Sequence, residues 1–138
     1  MEKYLGLFTL IFLIGCDITD TTLDYTEPID LVLDGRTYLD SNGYYHLTLD
    51  STRNQTPHRV TGTIFNQEYI TKVDWESNLT WYFNGEVVPT INKASYSNES
   101  GEVNVMIAPI YKMKGDTLII TGKVTESNET ETIKFVLQ

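Results

Sequence analysis

Arg59-Val60-Thr61-Gly62-Thr63-Ile64-Phe65 decides the fold class. Read as an extended strand, it turns Val60 and Ile64 to one side and Arg59, Thr61 and Thr63 to the other. This is the two-residue period of a sheet with one buried face. Downstream the same texture returns in Lys72 to Glu76, Leu79 to Phe83, Glu102 to Ile107, Asp116 to Val124 and Thr132 to Leu137. Upstream it appears in Tyr44 to Leu49, where Tyr45, Leu47 and Leu49 share a face, and in Ile29 to Leu33. β-Branched and aromatic residues dominate these runs, and no window of helical length carries an apolar stripe. Asp34-Gly35 and Asp40-Ser41-Asn42-Gly43 punctuate them as turns.

Seven to eight short antiparallel strands separated by turns predict an all-β chain folded as a β-sandwich over residues 31–138. A Trp on a middle strand, a later Gly-Asp-Thr-Leu run at Gly115–Leu118 and a terminal strand resemble immunoglobulin-like and fibronectin-III-like domains. A small up-and-down β-barrel is the competing architecture. Along Leu79 to Phe83 the alternation places Leu79, Trp81 and Phe83 together, so Trp81 is expected inside and Tyr82 outside.

The 138 residues suit one such domain. With 41% apolar and 21% charged residues, the composition is that of a folded chain. Ten Lys and Arg against 19 Asp and Glu give a net charge of −9, which argues against a nucleic-acid partner, because phosphate binding needs a basic face. A single Cys allows neither an internal disulfide nor a thiolate zinc site.

That one Cys closes the first apolar run. Met1-Glu2-Lys3 precedes Tyr4 to Ile14, too short to span a bilayer but of the length of a secretory signal core. Leu13-Ile14-Gly15-Cys16 resembles the lipobox of bacterial lipoproteins. The resemblance implies cleavage before Cys16, removal of residues 1–15 as a signal peptide, and acylation of Cys16. Two or three acyl chains bury enough CH₂ groups, at about 0.8 kcal/mol each, to hold a protein on a membrane. Residues 16–30 then read as an acidic tether: Asp17, Asp20, Asp24, Glu27 and Asp30 stand without a base, and neither structural period is sustained. Fully stretched, its 14 residues from Asp17 to Asp30 reach on the order of 45–50 Å.

Candidate chemistry in the domain is sparse. Asp74 and Glu76 flank Trp75, and alternation puts both carboxylates on one face at roughly 6.5–7 Å, a spacing that glycosidase acid pairs also use. Solvent-facing acids at alternate positions are equally ordinary, with Trp75 turned to the core. Among the aromatics most are expected in the core, leaving Tyr44, Tyr82 and Tyr96 as candidate ligand contacts. Asp40-Ser41-Asn42-Gly43 begins like a calcium loop but lacks the closing Glu, Ser51 standing in its place, and reads as a turn with Gly43 at positive φ. His46 and His58 do not form a ligand set, and no Gly-x-Ser-x-Gly elbow is present. No catalytic residue, metal or cofactor is expected. The sequence therefore predicts a lipid-anchored protein of the bacterial cell envelope. It would be a non-enzymatic binding or structural module, on the membrane through Cys16, with an envelope protein or glycan as partner. The alternative is a glycan-directed envelope enzyme or accessory subunit using Asp74 and Glu76.

Overall fold

In the computed structural model, which describes residues 29–138, β3 (His58–Phe65) lies between β1 (Asp30–Asp34) and β8 (Glu102–Ile107), antiparallel to both. A five-stranded sheet packs against this one, in the order β2 (Tyr44–Leu47), β10 (Thr130–Leu137), β9 (Thr117–Val124), β4 (Lys72–Ser77) and β7 (Ala94–Tyr96). A separate two-stranded hairpin pairs β5 (Thr80–Phe83) with β6 (Glu86–Pro89). The chain is an all-β sandwich with open sheet edges, not a closed barrel. Strands β1, β3 and β8 make one layer of the sandwich and β2, β10, β9, β4 and β7 the other.

The period-two pattern explains the layers. Leu31, Leu33, Val60, Ile64, Val103 and Ile107 point inward from the smaller sheet. They meet Val73, Trp75, Leu118, Ile120, Phe135 and Leu137 from the larger one. Burial of these side chains, at about 1.5–3 kcal/mol each, is the main force holding the sheets together. Trp75 is 4% exposed, so its expected inward turn is observed. Its ring fits because Gly122, opposite it on β9, has no side chain: a Cβ there would lie 2.8 Å from Trp75 Cζ3.

Several details differ from the sequence reading. Ten strands form among the described residues rather than seven or eight, the additions being β6 and β7. The pairing of β2 with β10 is parallel, which a chain crossing between sheets before β3 permits. Trp81 is only half-buried, because β5 pairs with β6 alone and leaves the sandwich. Its ring packs on the end of the core rather than between the sheets.

The register also fixes which loops share an end. Asp30 pairs with Phe65 and Thr63 with Glu102, so the chain enters β1 beside segments 66–71 and 97–101. Thr125 donates to the Lys72 carbonyl at 3.0 Å, bringing the β9–β10 turn to the same end. The β5–β6 hairpin, the 3₁₀ turn Tyr111–Met113, the loop around Arg53 and Gln138 gather at the other end. The 8 residues of β3 set the two ends about 26 Å apart.

Candidate functional site: the aromatic hairpin end

The hairpin turns through Asn84 and Gly85, with φ of 51° and 83°. Two successive positive φ angles make the tight turn whose twist suits a two-residue hairpin, and Asn-Gly is its preferred sequence. Trp81 lies opposite Val88 and Tyr82 opposite Val87. One face therefore carries Trp81 and Phe83, their rings 5.8 Å apart at 58°, and the other carries Tyr82 and Val87.

Below the turn the hairpin is rooted by hydrogen bonds. The buried Thr90 hydroxyl donates to the Leu79 carbonyl at 2.7 Å, with Ser77 Oγ 2.7 Å away. Ala108 N–H donates to the Thr90 carbonyl at 2.7 Å, and Ile91 bridges to Ile107. The Asn78 side chain accepts from Ile119 N–H at 2.7 Å and donates to the Thr117 carbonyl at 3.0 Å, locking the strand exit to β9. A firmly held base thus carries an arm with Tyr82 at 71% and Phe83 at 56% exposure. Tyr82 and Phe83 lie on opposite faces of the arm, so the hairpin exposes aromatic surface on both sides.

Two clefts, of about 370 and 380 Å³, lie against this arm and share Trp81, Ile110 and Lys112. Ser51, Arg53, Asn54 and Tyr111 add to the first; Thr80, Tyr82 and Asp116 add to the second. Arg53 Nε lies 3.1 Å from Asp50 Oδ2, and Lys114 Nζ sits 5.7 Å from the Tyr111 ring centre. Among the described residues no carboxylate pairs with Lys112. Trp81 Nε1 is buried without a hydrogen-bond acceptor among them.

The three candidate tyrosines are dispersed. Tyr82 belongs to the hairpin, whereas Tyr44 sits on edge strand β2 under Lys134 Nζ at 5.6 Å. Tyr96, 66% exposed, occupies the opposite edge on β7, across from Lys72. They do not build one platform. Sequence reasoning passed over Trp81, Phe83, Tyr111 and Lys112 as surface groups. Asn84-Gly85 was the signal that would have drawn Trp81 and Phe83 out of the sandwich.

Asp74 and Glu76 share the outer face of the five-stranded sheet, as alternation implies. Asp74 is bound to Lys72 Nζ at 2.7 Å and to the Thr125 hydroxyl at 3.1 Å, which together hold its carboxyl below the usual range. A general acid needs the opposite displacement. Glu76 lines a separate cleft of about 250 Å³ with Lys93, Thr80 and Pro89, one that Asp74 does not reach.

The Asp40 to Gly43 segment is a turn, with Gly43 at φ 81° and Asp40 Oδ1 accepting from Asn42 and Tyr44 N–H at 2.9 Å each. Asp40 Oδ2 meets His46 Nε2 at 3.0 Å, and His46 Nδ1 lies 3.3 Å from Gln138 Oε1. His58 Nε2 bonds the Gly35 carbonyl at 2.6 Å. Among the described residues no three His, Cys, Asp or Glu side chains gather as a metal-binding group. Residues 1–15, Cys16 and the tether up to residue 28 lie outside the described residues. No protein family and no curated protein matches the chain.

Proposed function

We propose that this chain is a lipid-anchored protein of a bacterial cell envelope and that its sandwich is a non-enzymatic binding module acting through the aromatic hairpin end. One observation carries the reading. The chain enters the sandwich at Asp30, beside segments 66–71 and 97–101, and the rooted aromatic arm stands at the other end. With Cys16 acylated and residues 16–30 as the tether, the arm stands at the end of the domain opposite the tethered one, free to meet envelope glycan or protein. Its aromatics are presented on a fixed base, so little ordering entropy opposes binding. The ion-paired state of Asp74 supports a binding role over acid catalysis.

The anchor is tested by detergent phase partition of the full chain in the cells that make it. The native protein should enter the detergent phase, and Cys16→Ser should move it to the aqueous phase and leave the signal uncleaved. Unchanged partition of the Ser variant would contradict the anchor.

A further inference from the structure

We infer that the two clefts flanking Trp81 form one trough for an acidic glycan strand, with Lys112 taking a carboxylate and the aromatic side chains taking the faces of the sugar rings. This rests on the proposed reading that the hairpin end is the binding end.

The chemistry of the lining selects the ligand class. A pyranose ring presents apolar C–H faces and a rim of hydroxyl groups, so it needs flat aromatic surface next to donors and acceptors. Each cleft offers both. Trp81, Phe83 and Tyr111 line the first beside Ser51 and Asn54. Trp81 and Tyr82 line the second beside Thr80 and Asp116. Trp81, Ile110 and Lys112 are common to the two, so neighbouring units of one strand would lie on either side of the indole. About 370 and 380 Å³ each falls at the small end of ligand sites, fitting a sugar unit rather than a folded peptide segment.

Charge selects the acidic member of the class. The chain carries −9 overall, yet the trough is lined by two cations, Arg53 and Lys112, against one carboxylate, Asp116. Arg53 is engaged by Asp50 and Lys114 lies over Tyr111. Lys112 has no carboxylate partner among the described residues and lines both clefts. In a protein this acidic, a cation left open beside aromatic surface favours an anion.

The test is calorimetric titration of the purified full chain with four probes: oligogalacturonate, de-peptidated peptidoglycan glycan strands, neutral maltoheptaose and poly-glutamate. At least one acidic glycan should bind, maltoheptaose at least tenfold more weakly, and poly-glutamate no better than maltoheptaose. Trp81→Ala should weaken the acidic glycan at least tenfold. Lys112→Gln, on an exposed turn where folding is not at risk, should weaken it severalfold and flatten its salt dependence. Equal binding of poly-glutamate would reduce the site to charge alone and overturn the proposal. So would equal binding of maltoheptaose, or binding of neither acidic glycan below millimolar concentration. If the glycans fail while a crosslinker at Tyr82 captures a protein in cells, only this inference falls. If both fail, the hairpin end is not the binding end.

Discussion

The indole N–H of Trp75 donates to the Ser95 hydroxyl at 2.8 Å, tying β4 to the edge strand β7 from within the sandwich. Trp81, a few residues on, is its opposite: half-buried, on a strand outside the two main sheets, its N–H without an acceptor among the described residues. The two tryptophans therefore predict different losses. Trp75→Ala should cost about 3–5 kcal/mol, the range for emptying a large core site. Trp81→Ala should cost about 1–2 kcal/mol, as only part of its surface is buried. Chemical denaturation gives both values, and an equal loss would mean that the hairpin is packed into the core.

Gly122 faces the Trp75 ring. A methyl group there would lie 2.8 Å from Cζ3 and 3.2 Å from Leu31 Cδ2, so Gly122→Ala must displace the ring or spread the sheets. The expected loss is about 1–3 kcal/mol, as for other overpacked cores. A thermal melt unchanged from that of the parent would show that the ring does not sit over Gly122.

The turn at Asn84 and Gly85 governs the arm rather than the domain. Gly85 stands at φ 83° with open space around the position of a Cβ, so Gly85→Val adds backbone strain without a clash. That strain is worth about 1–3 kcal/mol. Because the hairpin pairs only with itself, amide exchange should quicken across residues 80–89 and stay unchanged in β3 and β9. Faster exchange throughout would mean that the arm is part of the cooperative core.

The Asp40–His46 pair gives a pH dependence with a defined sign. The Asp40 carboxylate, and then the Gln138 side chain, raise the His46 pKa above the 6.5 of a free imidazole. Its contribution is complete below 6.5 and is lost as pH rises through the raised value. Backbone donation from Tyr44, followed by the bond to His46, lowers the Asp40 pKa below 3.8. That contribution is present above 3.8 and is lost as pH falls through the lowered value. The pair is thus strongest from about pH 4 to 6.5. Proton NMR should place the His46 midpoint above 6.5, and Asp40→Asn should lower it. A midpoint at 6.5 in the parent would show that the pair does not form in solution.

Much of the sandwich was legible because its strands obey one period with one buried face. Val60, Ile64, Leu47 and Trp75 all point where alternation places them. What escaped was non-local. The parallel seating of Tyr44–Leu47 on Lys134–Leu137 depends on a crossing between sheets that no local pattern encodes. β7, only 3 residues long, is too short to show a period. Trp81 and Phe83 were correctly aligned on one face, but alternation does not say which surface that face meets. The clefts beside Trp81 assemble from the Arg53 loop, the hairpin and the Tyr111 turn, segments far apart in the chain.

The most direct test of the account is site-specific photo-crosslinking in the cells that make the protein. A benzoylphenylalanine is placed either at position 82 on the hairpin or at position 69 at the end where the chain enters the sandwich. Tyr82 and Tyr69 are both highly exposed, so neither replacement disturbs packing. Adducts of discrete partner or envelope glycan at position 82, absent at position 69, are the predicted result. Adducts at position 69 with none at position 82 would contradict it, and would move the working surface to the tethered end.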